Sequence, residues 1–147
     1  MNHLILIVVI GGNRVALPAA AVEAVVEIDA LIPVPLAAPH VAGLSALRSR
    51  VLTVIDCRIA LGLGTGNAPG PGSEAVVVEI EGHHYALLVD VVDDVVDSLG
   101  EPEPVPLALG ASWERVALGL VQSEQGPLLL VDVAAMVRGD DLCAAAA

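Results

Sequence analysis

All the fixed positive charge of this 147-residue chain sits on six arginines, with no lysine, against eighteen Asp and Glu residues. The formal net charge is −12. Arg48 and Arg50 bracket a turn between two apolar runs, and Arg58 follows on a short helical segment, so these three form the basic spot of the sequence. Two readings of the spot stand. They are solvated charges holding nearby acids, or planar forks offered to a carboxylate or backbone carbonyl of a partner.

The other side chains capable of chemistry form no recognisable constellation. The histidines are His3, His40, His83 and His84, and they lack the HxxxH and HExxH spacings of zinc sites, so no metal site is expected. His83 and His84 fall in an expected hairpin turn and read as a solvated pair. Cys57 and Cys143 lie far apart with no CxxC spacing, which reads as two free thiols in a reducing compartment. The acidic run Asp90, Asp93, Asp94 and Asp97 lies in a strand-like segment and reads as a solvated face, since a calcium loop needs a turn glycine among its oxygens. Gly62-Leu63-Gly64-Thr65-Gly66 is glycine-rich, but no helix follows to cradle a phosphate, and no GxSxG or GxxxxGK[ST] pattern occurs. Asp56 and Asp132 both follow a strand, where helix capping accounts for them better than paired acid–base work. A nucleic-acid partner would need a basic footprint, and the charge balance excludes one.

The elements that position these residues are strands. The chain is 56% hydrophobic, yet Trp113 and Tyr85 are its only aromatics, and valine supplies 24 residues. An aliphatic, β-branched core favours sheet over helix. Leu4 to Ile10 is seven apolar residues, too short to cross a bilayer, which takes about 18. Only Asn2 and His3 precede it, without the basic start of a secretory signal, so a cytoplasmic protein without membrane insertion is expected.

The chain repeats itself. Ile10 to Leu17 aligns with Ile80 to Leu87, and Val22 to Glu27 with Val92 to Asp97, both at an offset of 70 residues. Gly43-Leu44 then aligns with Gly119-Leu120, and Val54-Ile55-Asp56 with Leu130-Val131-Asp132, at an offset of 76. In each half an apolar run turns at a glycine and returns, as a hairpin does. The expected strands are Leu4 to Ile10, Val15 to Leu17, Val22 to Ile28, Ala42 to Leu47 and Val51 to Ile55. The second half repeats them as Ala75 to Ile80, Tyr85 to Val89, Val91 to Leu99, Val116 to Gln122 and Leu128 to Val131. Short helices are expected from Asp56 to Leu61 and from Asp132 to Val137. Five strands per unit predict an all-β fold of two small closed barrels, near residues 1–61 and 75–138, with strands free to exchange between them. Residues 62–74, rich in Gly and Pro, read as a flexible linker, and residues 141–147 as a frayed tail.

At the string Gly43-Leu44-Ser45-Ala46-Leu47-Arg48-Ser49-Arg50-Val51-Leu52-Thr53-Val54-Ile55-Asp56-Cys57-Arg58 the chain resembles the CheW-like domain of bacterial chemotaxis coupling proteins, whose pattern there is G-x-x-N-L-R-G-x-V-x-P-V-I-D-L-R. Ala16-Leu17-Pro18 with Val22, Ile32-Pro33-Val34-Pro35, Leu87-Leu88-Val89-Asp90 and Leu128 to Val137 extend the resemblance over the whole chain. It implies two five-stranded SH3-like β-barrels and a non-catalytic adaptor, without cofactor or metal. That adaptor couples the cytoplasmic tip of a chemoreceptor (methyl-accepting chemotaxis protein) to the regulatory domain of the chemotaxis histidine kinase, in membrane-associated arrays. By the same resemblance Arg48, with Leu47, Ser49 and Val22, faces the receptor, and Ala24 and Val25 face the kinase. Ala46, Ser49 and Thr53 depart from the pattern's Asn, Gly and Pro, and Ala24 stands where the family often has Glu. These departures leave room for a second class, a divergent module serving another array such as pili motility or biofilm control.

Overall fold

The structure, a computed structural model, describes residues 4–36, 40–47, 50–61, 73–105 and 111–138. Most of the expected linker (residues 62–72), the tail, Arg48 and Ser49 lie outside the described residues. Ten strands and three short helices follow one another: β1 (Leu4–Ile10), β2 (Asn13–Pro18), β3 (Val22–Ile28), β4 (Val41–Leu47), β5 (Arg50–Asp56), α1 (Cys57–Ala60), β6 (Ser73–Ile80), β7 (His83–Leu88), β8 (Val91–Asp97), α2 (Ala111–Val116), β9 (Ala117–Ser123), β10 (Gly126–Val131) and α3 (Val133–Arg138). The β1–β2 turn is Gly11-Gly12, with φ of 59° and 83°, and the β6–β7 turn is Glu81-Gly82, with φ of 52° and 83°. Two left-handed residues in a two-residue loop match the right-handed twist of the strands they join.

The strands form two five-stranded sheets, in the orders β8-β1-β2-β10-β9 and β3-β6-β7-β5-β4. Each half therefore lends its first hairpin to the other half's sheet. β1–β2 sits among β8, β10 and β9, while β6–β7 sits among β3, β5 and β4. The pairings repeat with the sequence offsets. Thr53 lies opposite Tyr85 in the parallel β5–β7 pair, and Leu129 opposite Val15 in the parallel β10–β2 pair.

Closed barrels were expected; the sheets are instead open as ladders. Among the described residues no ladder joins β8 to β9 or β3 to β4. Single bridges span the gaps: Ile32 exchanges two backbone hydrogen bonds with Leu44, both 2.8 Å, and Glu103 two with Leu120, 2.8 and 2.7 Å. The reason is local chemistry. Pro33 and Pro35 follow Ile32, and Pro102 and Pro104 flank Glu103, and proline has no N–H to extend a ladder. The chains also pass very close there. A Cβ on Gly43 would lie 2.4 Å from the Ile32 carbonyl oxygen, and one on Gly119 2.8 Å from that of Glu103.

Apolar side chains fill three regions. Ile5, Ile7, Ala16, Val121, Leu128 and Leu130 line the inside of the first sheet. Ile28, Leu52, Val54, Ala75, Val77, Ala86 and Leu88 line the inside of the second. Between the sheets Leu6, Val8 and Ile10 of β1 meet Val76 and Val78 of β6, with Ile55, Val131 and Met136. Alternate residues of β1 and β6 thus enter different cores, which is why both read as unbroken apolar runs. Asp56 caps α1 by accepting from the Arg58 and Ile59 amides, and the Asp132 carboxylate accepts from the Ala134 amide. The helix α2 was not expected, because its six residues show no apolar period. It carries Arg115, whose guanidinium donates to the Ala60 carbonyl (2.9 Å) and to the Ala135 carbonyl (2.7 Å). One arginine therefore ties α2 to the segments ending β5 and β10.

Val54 and Ile55 are neighbours on β5 that point into different cores, and both are about fully buried. Val54→Ala and Ile55→Ala should each lower the unfolding free energy by about 2–4 kcal/mol, measured by denaturant titration. A loss near zero at either would mean that its face of β5 is not packed.

Candidate functional site

The residues expected to meet partners lie at one end of the second sheet. Leu47 is the last residue of β4 and pairs with Arg50, the first of β5; Arg48 and Ser49, between them in sequence, lie outside the described residues. On the far edge, β3 holds Val22, half-buried against the shared core, and the exposed Ala24 and Val25. Val22 pairs with Val78 and Ala24 with Val77, so Glu23 is an extra residue, a β-bulge. A bulge re-aims its side chain. Here it turns Glu23 along the sheet face towards β7 and β5.

A row of charged groups crosses that face from the edge strand β3 to β5. Arg50 Nη1 lies 3.5 Å from Glu23 Oε2. Glu23 Oε1 lies 2.7 Å from His84 Nδ1, and His84 Nε2 lies 3.7 Å from Glu79 Oε2. Glu79 and His84 face each other across the β6–β7 ladder. With Nδ1–H donated to Glu23, the 3.4 Å approach of Arg50 to that nitrogen is a contact and not a second hydrogen bond. The Glu23 carboxyl is held below its ordinary value, first by the His84 hydrogen bond, with the His84 and Arg50 charges adding to it against a partial loss of solvent.

The first sheet holds the counterpart. Asp93 is the bulged residue of β8, since Ile7 pairs with Asp94 and Val8 with Val92. Its carboxylate accepts from Arg14 at 2.9 Å, and Arg14 also donates to Gln125. Arg14 and Asp93 stand 70 residues from His84 and Glu23. A permanent ion pair in one sheet is matched by a titratable one in the other.

Of the three clustered arginines, the two that the structure describes lie apart. Arg50 begins β5 and Arg58 lies beyond its end, about 20 Å away at the rise of a strand. Arg58 binds Asp90 at 2.7 Å, and the other Asp90 oxygen accepts from the Gly12 amide at 3.2 Å. That chain joins α1, the start of β8 and the β1–β2 turn, so Arg58 is structural. His40 is buried, with Nε2 2.8 Å from the Val137 carbonyl. Cys57 is fully buried, and burial, with Asp56 and Asp90 near, pushes its thiol far up, so it is no nucleophile. The sequence reading put His84 in a hairpin turn as one of a solvated pair, whereas it lies on β7 and is paired with Glu23; Glu23 and Glu79 were not singled out. The signal available was the repeat itself, which places His84 over Arg14 and Glu23 over Asp93.

With this geometry in hand, the family model described as the CheW-like domain matches residues 4–141. The fold is similar to that of the scaffolding protein TtCheW from Thermoanaerobacter tengcongensis, with a TM-score of 0.78, 22% sequence identity and 90% of each chain covered. No curated protein matches the sequence. Among the described residues no helix is long and apolar enough to cross a membrane.

The Glu23 network sets an expected titration. Followed by NMR of the side-chain carboxyl, Glu23 should titrate below 4.5. His84→Ala should raise its midpoint towards that value, and by more than Arg50→Ala does, because the histidine hydrogen bond is the larger cause. Its contribution to folding is present above the unfolded value and lost as pH falls through the folded one. An unchanged midpoint in both variants would break the network.

Proposed function

The chain belongs to the CheW-like domain family, and from that premise we propose that it is a non-catalytic adaptor coupling chemoreceptor cytoplasmic tips to the regulatory domain of a chemotaxis histidine kinase. The observation that carries this is the extent of the family match, residues 4–141, which takes in every strand and helix of both sheets. In this reading each open sheet is the family's SH3-like barrel. Arg48, with Leu47, Ser49 and Val22, meets the receptor tip, and Ala24 and Val25 meet the kinase.

Two features support the assignment of surfaces. The β4–β5 ladder runs to its last pair, Leu47 and Arg50, the residues that border Arg48 and Ser49 in sequence. Val25, an apolar side chain on an edge strand, is 45% exposed. An arginine fork suits a helical receptor hairpin, and the exposed apolar residue on β3, at the other end of the strand order from β4, suits a second β-domain.

Titration of a receptor tip fragment tests the reading. Arg48→Ala should weaken tip binding by about 1–3 kcal/mol and leave the melting temperature nearly unchanged. Binding of the kinase regulatory domain should suffer less. Arg14→Ala is the control, a surface ion pair on the other sheet; Arg115 is unsuitable, since it clamps three helices. Tip binding equal to that of the unmutated protein would contradict the role of Arg48. Absence of binding to any receptor tip, with capture by a component of a pili or biofilm system, would favour the divergent module.

A further inference from the structure

We propose that Glu23, Glu79 and His84 form a binding site for a divalent cation of the zinc class on the outer face of the second sheet, a site independent of the adaptor reading.

Each of the three offers one ligand atom, and these atoms all lie within 4.8 Å of one another. An ion about 2.0–2.2 Å from each draws its ligand atoms to within about 4.4 Å of one another, so the exposed Glu79 carboxylate turns inward and the ion takes the place of the proton between His84 Nδ1 and Glu23 Oε1. One imidazole nitrogen with two carboxylate oxygens is a donor set for zinc and its first-row neighbours, and water completes an open tetrahedron. The ligands come from three adjacent strands, β3, β6 and β7, whose backbones are fixed by ladders, so little order is lost on binding.

The opposite sheet serves as an internal comparison. Its equivalent positions are Asp93, Val9 and Arg14. There the bulged acid pairs with Arg14, and the three equivalent positions supply one carboxylate and no imidazole. In the second sheet the permanent cation is replaced by an imidazole that can be neutral, and the valine by Glu79. Two changes at the same place convert a closed ion pair into a ligand set.

Arg50 is compatible with this arrangement. It contacts Glu23 Oε2, the oxygen turned away from His84, and leaves Oε1 facing the imidazole. A hydrogen bond to the outer oxygen orients a ligating carboxylate as outer-shell partners do. Two carboxylates against one arginine leave a net negative charge at the site when His84 is neutral. Glu79 and Arg50 are half exposed, so the site opens to solvent on its outer side.

The test is calorimetric titration of the full chain, free of any purification tag, with zinc chloride alone at pH 7.5. The expected result is saturable binding of one ion per chain. It should weaken at least about 100-fold in His84→Ala, more than the 10- to 100-fold that outer-shell changes cost. Glu79→Gln, an exposed substitution that leaves the Glu23–His84 bond in place, should also weaken it strongly. Asp93→Asn on the other sheet should not. No saturable binding, or binding in Glu79→Gln and His84→Ala equal to that of the unmutated protein, would overturn the proposal. If His84→Ala fails to fold, Glu79→Gln decides alone.

Discussion

The parallel pairings β5–β7 and β10–β2 are the contacts on which the rest of the molecule depends. They stitch a strand of one half beside a strand of the other, and they do so twice, in related registers. Neither half can complete a five-stranded sheet from its own residues. β1 finds one neighbour, β2, within its half and takes the other, β8, from across the chain. The same holds for β6 between β7 and β3. Two sheets built this way exchange hairpins, and their shared core lies where the lent hairpins meet.

Much else follows from that exchange. Strands placed between two cores must be apolar on both faces, which a chain almost without aromatics meets with Val, Ile and Leu. The polar residues are left to the outer strands β3 and β8, whose bulges aim Glu23 and Asp93 along the sheet faces. Charge on such outer strands also discourages sheet-to-sheet pairing between molecules. The remaining ties are few and specific: Arg115 across three helices, and Arg58 through Asp90 to the Gly12 amide.

The strands were legible because the physics that forms them is local. Continuous apolar runs broken by Gly11-Gly12 and Glu81-Gly82 define both first hairpins, and Asp56 and Asp132 announce the short helices. Fold class and the order of elements follow from the repeat. The barrel closure was not legible in detail, since the prolines near Ile32 and Glu103 permit one bridge and forbid a ladder, and only the approach at Gly43 and Gly119 shows where it falls. Helix α2 carries no apolar period. The arginine cluster was misleading because β5 runs between Arg50 and Arg58 and carries them apart. The Glu23–His84–Glu79 row combines residues 56 and 61 positions apart that only the exchange brings together, so no spacing rule could find it. Comparing the two halves as structures makes it visible, because the same place holds Arg14 and Asp93.

The exchange of hairpins can be tested directly by cutting the chain between α1 and β6. Residues 1–61 and 73–147, prepared separately, should each give the narrow amide spectrum of an unfolded chain, since each lacks the strands that cover its lent hairpin. Mixed in equal amounts, they should restore a dispersed spectrum and a cooperative melt, in a one-to-one complex. A dispersed spectrum from either fragment alone as a monomer would contradict the account.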